Sequence, residues 1–511
     1  MGFKRQAVDF YFQDKHQAKN IGKKSIKAYL YTTGTNVLKF FINIATVSIL
    51  ARLLVPEDFG YVAMAAAFVS APKIVLGQQL SIGVVQHKTI ERFQLNAFFW
   101  LISGITIIIA AASFSASPLV AWFFEEPRLT GITRAMTAMV LFAGLSAVHG
   151  ALLVRTMQFG VLAGVDLTAR IISKIVAILL AVAGMGYWAL VFMPVSYECA
   201  RMIGFWVVCS FRPGFYGKGA GSSKSLMKVG SVWSVRSIFS SLISELDTVI
   251  IGKFLSSQAL GFYSRSFNLA ELPGRFIAWP LSSIVISALS RLQDDKEKFK
   301  RFFFTLTEGY LFVFIPILML LFLSSDHVVL LILGNKWTDM IPIFQGLIPL
   351  FLLKNIIRPV GWFLTAASHS NRHIKKIAYS TVIANAAFAA GVIGGLPWGI
   401  MGIVYSMVLF SSLSFIISVF YVFHGEIITP GAFINVLWRP LTASLAALGV
   451  CFLVPIEGST GTSNPLVLIL VNSLAGSLVY LVSFLCLPNG KKALVDVIVT
   501  ARDILRKKTS V

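Results

Sequence analysis

Charge is what this sequence has little of. Only 13% of its 511 residues are Asp, Glu, Lys or Arg, where a water-soluble domain carries roughly a quarter. Length alone would suggest three or four soluble domains. The charge deficit excludes them, because too few polar side chains remain to cover their surfaces. Acids are the scarcer sign, 22 against 44 Lys and Arg, for a net charge of +22. Cysteine is scarce too. Cys199, Cys209, Cys451 and Cys486 lie in or at the ends of apolar runs with no CxxC spacing, which argues against a disulfide framework or a zinc site. No Walker A loop, HExxH or GxSxG occurs. The chain is therefore read as a non-enzyme with no cofactor and no metal. Its first 25 residues are basic and polar, so no cleavable signal peptide is evident.

What the sequence has in place of charge is apolar surface: 56% hydrophobic residues, 42 Phe and a mean hydropathy of +0.79. A bilayer core of about 30 Å takes roughly 20 apolar residues per helix. Fourteen stretches qualify, which predicts an all-α polytopic membrane protein. The expected order is a tail (1–25), a six-helix lobe (26–210), a Gly/Ser-rich basic linker (211–225), a second six-helix lobe (226–424), two further helices (425–487) and a tail (488–511).

The basic residues sort by side. Seven lie between Lys4 and Lys27, five between Arg291 and Arg301 and six after Leu487, whereas the opposite loops hold two, Arg128 and Lys336. By the positive-inside rule both termini are cytoplasmic. The same rule accounts for the excess of positive charge without a nucleic-acid partner.

The chain also repeats itself. The run Leu50-Ala51-Arg52-Leu53-Leu54-Val55-Pro56-Glu57-Asp58-Phe59-Gly60-Tyr61 aligns without gaps to Ile251-Gly252-Lys253-Phe254-Leu255-Ser256-Ser257-Gln258-Ala259-Leu260-Gly261-Phe262, 201 residues on. Gly186-Tyr187-Trp188-Ala189-Leu190 matches Leu396-Pro397-Trp398-Gly399-Ile400 at an offset of 210. Two lobes in the same orientation follow, the parallel-repeat plan of many transporters.

Charges inside the expected spans number 15 basic and six acidic. Arg52, Lys253 and Lys228 are near span ends, where snorkelling accounts for them. The deeper ones fall on helical faces: Asn36, Lys39, Asn43 and Thr46; Asp166, Arg170 and Lys174; Arg236, Ser240, Ser244 and Asp247; Arg265, Asn268, Glu271 and Arg275; Lys354 and Arg358. At 3.6 residues per turn these are polar stripes. Facing Lys39, Arg170, Lys174, Arg236 and Arg265 to lipid would cost roughly 12–18 kcal/mol. A hydrated central cavity is the cheaper arrangement. Its positive sign favours an anionic cargo, phosphate above all. The plainer reading is that Asp166 with Arg170, and Glu271 with Arg275, are i, i+4 pairs that neutralise themselves. Lys39, Arg236 and Arg265 lack such a partner and are the leading cargo contacts, with Arg170, Lys174, Arg275, Lys354 and Arg358 behind them. Asp247, Glu308, Glu271 and Asp166 are read either as ion- or proton-coupling sites or as structural partners. His149 is read as a core residue. His369 and His373, beside Arg372, Lys375 and Lys376, are read as a solvated or headgroup-facing patch.

The run from Leu50 to Ala65 closely resembles the first turn of bacterial Wzx-type polysaccharide flippases, nearest the colanic acid and succinoglycan exporter group. Leu80-Ser81-Ile82-Gly83-Val84-Val85-Gln86, Leu246-Asp247-Thr248-Val249-Ile250-Ile251-Gly252 and Gly261-Phe262-Tyr263-Ser264-Arg265 extend the likeness. The resemblance implies a member of the multidrug/oligosaccharidyl-lipid/polysaccharide superfamily. Such proteins move undecaprenyl-pyrophosphate-linked oligosaccharide from the cytoplasmic to the periplasmic leaflet of the inner membrane by alternating access. Tyr263-Ser264-Arg265 with Glu271-Leu272-Pro273 is similar to the eighth helix of lipid II flippases, whose arginine there is implicated in substrate binding; that role carries over to Arg265. Where those proteins have arginines late in the second helix, this chain has Gln78 and Gln79. By the same resemblance the last two helices form a tail-binding groove. The expected partners are the lipid-linked oligosaccharide and membrane lipid. Whether the protein works as a monomer or beside polymerase and chain-length or export proteins stays open. The rival readings are a lipid II or drug–cation transporter of the same superfamily, and, ranked below them, a membrane polymerase or ligase. The last would need a larger outward loop than the one around Ser324–Asp339.

Overall fold

The computed structural model describes residues 21–74, 76, 82–87, 90–214, 241–367, 371–453, 464–497 and 499. Among these residues there are helices and turns and no strand. The chain divides into two compact units, Met1–Gly261 and Phe262–Val511. From residue 215 onward the expected linker lies outside the described residues, as does Arg236.

In the first unit the helices are α1 (Ile21–Leu53), α2 (Pro56–Ile74), α3 (Ile82–Gln86), α4 (Arg92–Ser115), α5 (Ser117–Phe124), α6 (Arg128–Arg155), α7 (Phe159–Val182), α8 (Tyr187–Val208) and α9 (Leu246–Phe254). Local chemistry sets the ends. Pro56 opens α2, where a missing N–H costs nothing. Glu91 and Gln94 form a reciprocal capping box at the start of α4. Pro118 at the start of α5 breaks one apolar stretch into α4 and α5. Between α1 and α2 the chain bends by 120°, as a tight turn between two segments. Helix α6 is the hub, packed by α2, α3, α4, α5, α7 and α8. Its buried side mixes Ala143, Gly144, Ala147 and Ala151 with larger apolar residues, and Gly144 leaves no room for a Cβ beside Thr106 of α4.

Helix α10 (Ser257–Pro273) begins in the first unit and continues into the second. It runs through a π-helical turn, Gly274–Ala278, into α11 (Trp279–Ser290). Pro273 explains the widened turn, since it cannot donate and crowds the preceding carbonyl. The rest are α12 (Lys296–Leu323), α13 (Ser325–Ile332), α14 (Ile341–Ile356), α15 (Arg358–Ala366), α16 (Asn371–Gly395), α17 (Gly399–Phe423), α18 (Pro430–Leu453) and α19 (Pro465–Cys486). Helices α16 and α17 form an antiparallel hairpin packed along its length. It closes at Gly395, where a Cβ would lie 2.4 Å from the backbone of Gly402 and Ile403. Helix α18 packs on α12 and α19.

Of the seventh expected stretch, 226–255, residues 226–240 lie outside the described residues. Among the described residues nine helical stretches are long and apolar enough to cross a membrane. One of the nine is the whole α16–α17 hairpin. Helix α7 falls short because Asp166, Arg170 and Lys174 interrupt it. One expectation is corrected. The expected loop around Ser324–Asp339 is folded as α13 and a 3-10 turn, Asn335–Met340. In the tenth stretch Ile357 joins α14 to α15 in helical conformation, with its N–H bonded to Leu353, and Asn335–Ala366 runs as one span.

Candidate anion-binding site

The polar stripes of α1 and α7 meet in the first unit. Lys39 on α1 donates from Nζ to Oδ2 of Asp166 on α7, 2.5 Å away. Arg170, one turn along α7, places Nε 3.2 Å from the same oxygen. Tyr197 on α8 donates its hydroxyl to Oδ1, and the Arg170 guanidinium stacks over the Tyr197 ring at 5.1 Å. One turn further, Lys174 Nζ lies 3.3 Å from Oδ1 of Asn43. Three helices therefore bring two cations and a phenol hydroxyl around a single carboxylate, with a third cation, Lys174, one turn beyond. Lys39 and Asp166 each keep 20% of their side-chain surface, and Arg170 keeps 44%. The group is open enough to meet a ligand. Sequence spacing identified the pair Asp166–Arg170 and the cation Lys39. It did not show that Lys39 reaches the same carboxylate, nor that Tyr197 completes it.

A second acid of this unit behaves differently. Glu198 on α8 is buried, with 2% of its side chain exposed. Oε1 lies 2.9 Å from Lys73 of α2 and Oε2 3.4 Å from Arg201. This triad, its carboxylate buried and Lys73 31% exposed, staples α2 to α8. Asp247, also buried, accepts the backbone N–H of Thr248 at 2.8 Å. Gln78, Gln79 and the side chain of Asn36 lie outside the described residues. His149 sits against Trp206, Phe211 and Phe99 with ring centroids 4.4–5.9 Å away, a core histidine.

In the second unit Glu271 and Arg275 pair, with Nε 2.7 Å from Oε2. Arg275 also reaches toward Asn268. Arg265 is half-buried on α10. Lys354 stands among three phenylalanines: its Nζ is 4.9 Å from the ring centre of Phe267, 5.2 Å from Phe351 and 5.1 Å from Phe388. Arg358 donates to Oδ1 of Asn355 at 3.2 Å, an oxygen that also accepts from Tyr310. Glu308, alone among the acids of its span, takes a partner from another helix: Arg439 Nη1 on α18 lies 2.7 Å from Oε1. Arg439 had no signal in the sequence beyond being a charge in an apolar run.

The reading of the basic patch, whose residues from Arg372 to Lys376 form the start of α16, is corrected in part. Lys376 is buried rather than solvated and donates to the carbonyls of Val422 and His424 and to Glu426, 2.6 Å away. His373 joins the same carboxylate at 3.2 Å. Burial by itself would raise the Glu426 carboxyl, but the hydrogen bonds and charges of Lys376 and His373 outweigh it and hold the group below its ordinary value. His369 lies outside the described residues. Among the described residues no three His, Cys, Asp or Glu side chains gather to hold a metal.

Residues 49–342 match the family described as polysaccharide biosynthesis protein. The lipopolysaccharide biosynthesis protein WzxC of Escherichia coli (strain K12) is 22% identical over 440 residues, 85% of this chain and 88% of that protein. The succinoglycan biosynthesis transport protein ExoT of Rhizobium meliloti (strain 1021) is 24% identical over 473 residues, 92% of this chain and 93% of its own. Among solved structures, the lipid II flippase MurJ in its inward closed conformation superposes with a TM-score of 0.71 at 15% identity, covering 89% of this chain and 97% of that one. At that identity the likeness shows a shared fold.

Proposed function

The chain belongs to the polysaccharide biosynthesis protein family, and from that premise we propose that it is a flippase for a lipid-linked oligosaccharide. It is a multi-pass membrane transporter and not an enzyme. Its cargo is a polyprenyl-pyrophosphate-linked repeat unit, carried from the cytoplasmic to the periplasmic leaflet of a bacterial inner membrane, with both termini cytoplasmic. The names of ExoT, a transport protein, and MurJ, a flippase, support this class of activity. One observation carries the choice of cargo. Lys39 and Arg170 gather, partly exposed, about one acid, and Lys174 stands one turn further along the same helix. Cations held there at a cost of ~2.5–3.5 kcal/mol each need an anion to meet. A pyrophosphate meets that need, and a cationic drug does not. Arg265, Lys354 and Arg358 form a second candidate set in the second unit, with Arg275 tied to Glu271; Arg236 belongs with the candidates on sequence alone. Exposing these cations alternately to the two sides of the membrane moves the head group while the prenyl tail stays in lipid.

The test is a leaflet assay. In cells depleted of the protein, a membrane-impermeant lectin or periplasmic enzyme reports where the lipid-linked oligosaccharide accumulates. Accumulation on the cytoplasmic face, reproduced by Lys39→Ala or Arg265→Ala at normal protein levels, is the expected result. Accumulation on the periplasmic face overturns the reading in favour of a polymerase or ligase.

A further inference from the structure

Two carboxylates of the first unit sit among cations, and they differ in access. Glu198 is sealed, with 2% of its side chain exposed between Lys73 and Arg201. Asp166 keeps ten times that exposure, and its partner Arg170 keeps 44%. A pair whose only task is to bind helices together gains from exclusion of water, as Glu198 does. The Asp166 cluster is left open where a ligand can reach it.

The charges give a second indication. Lys39 and Arg170 sum to two, and Asp166 reduces the group to +1. A pyrophosphate esterified at both ends carries about one negative charge per phosphoryl group. With Asp166 neutral the two cations match such a head group and hold it hard. With Asp166 charged, one of the two positive charges is already met and the grip is weaker. A carrier needs the weaker grip, since binding must be favourable enough to admit the cargo and weak enough to release it.

The donors allow an exchange. Asp166 engages Arg170 through Nε, and the terminal nitrogens of a guanidinium can grip a phosphoryl group bidentately. An ammonium such as Lys39 has three donors and rotates freely between acceptors. Tyr197 donates to the other carboxylate oxygen, which keeps Asp166 in place while its cations change partners.

We propose that Asp166 is an internal competitor of the anionic head group: its carboxylate holds Lys39 and Arg170 in the empty site and reclaims them as the pyrophosphate leaves. This rests on the flippase reading above and adds the residue that sets release.

The full-length protein in lipid nanodiscs would be titrated calorimetrically with a short-chain prenyl pyrophosphate such as farnesyl pyrophosphate. Asp166→Asn is expected to bind it about three- to tenfold more tightly than wild type, and to turn over more slowly in the leaflet assay. Tyr197→Phe keeps the ring under Arg170 but removes the hydroxyl that shares the carboxylate. It is expected to bind about twofold more weakly, a change of opposite sign that stands even if Asp166→Asn does not fold. An Asp166→Asn protein that binds no more tightly overturns the competitor role and leaves the flippase reading intact, as does unchanged or tighter binding by Tyr197→Phe. A wild-type protein that takes up no prenyl pyrophosphate overturns both.

Discussion

Gly60 and Gly261 occupy the same place in the two copies of the repeat, and each is pressed against the backbone of the other copy's turn. A Cβ on Gly60 would fall 1.9 Å from the carbonyl oxygen of Ser257, and one on Gly261 would fall 2.0 Å from that of Pro56. Ser257 is itself the counterpart of Pro56 at the 201-residue offset. The contact, all within the first unit, is therefore reciprocal: the turn after α1 and the turn after α9 meet through their glycines.

Substitution at either glycine must move backbone, not a flexible side chain. Gly60→Ala and Gly261→Ala are each expected to destabilise the protein by about 1–3 kcal/mol or more, read as a lower melting temperature in detergent. Gly104→Ala, on a helix where nothing lies within 4 Å of the added carbon, is the control. It is expected to be neutral or to stabilise by about 0.4–1 kcal/mol. Equal behaviour of the three variants would refute the close contact.

Glu308 and Arg439 supply the second prediction. Both are largely buried, with 14% and 19% of their side chains exposed. Removing one partner leaves the other charge stranded, so Glu308→Gln alone is expected to cost up to about 3 kcal/mol. The double variant Glu308→Gln/Arg439→Gln is expected to recover much of that loss. A double-mutant cycle of thermal stabilities measures the coupling. Additive effects would mean that Glu308 serves something other than Arg439, such as a proton.

Acid should release the α17–α18 connection. The Glu426 carboxyl is held below its ordinary value of about 4.5 by Lys376 and His373 against the opposing effect of burial. A depressed folded value means the ionised form favours the folded state. The stabilisation is complete above about pH 4.5 and is lost as pH falls below that toward the depressed value. Melting temperature followed downward from pH 6 should drop more steeply for wild type than for Glu426→Gln. Parallel curves would count against the cluster.

Lys354 tests the second set of cations. Lys354→Met preserves the packing of the stem among Phe267, Phe351 and Phe388 and removes the charge. Loss of the cation–π contacts is expected to cost about 0.5–2 kcal/mol of stability. If Lys354 meets the cargo, transport measured by complementation falls well beyond what that loss explains. Normal transport would leave Lys354 a packing residue only.

Much of the candidate site could be read along single helices. Asp166 and Arg170 are one turn apart, as are Glu271 and Arg275, and the structure pairs both as the spacing allows. Partners on different helices could not be read this way. Lys39 and Asp166, Glu308 and Arg439, Lys376 and Glu426 meet across interfaces that no local periodicity encodes. Tyr197 carried no signal at all, being one aromatic among many in an apolar helix.

Composition and patterning by themselves determined that this chain is an all-helical membrane protein. The reason is energetic: so few charges cannot solvate a water-exposed surface, and only helices satisfy their own backbone inside lipid. The repeat, and the sign of the charges, were likewise legible in residue order. Which carboxylate each buried cation meets was decided by the tertiary structure alone. That depends on which helix faces which, and helix packing is set by the shapes of whole faces and by close approaches such as those at Gly60, Gly261 and Gly395.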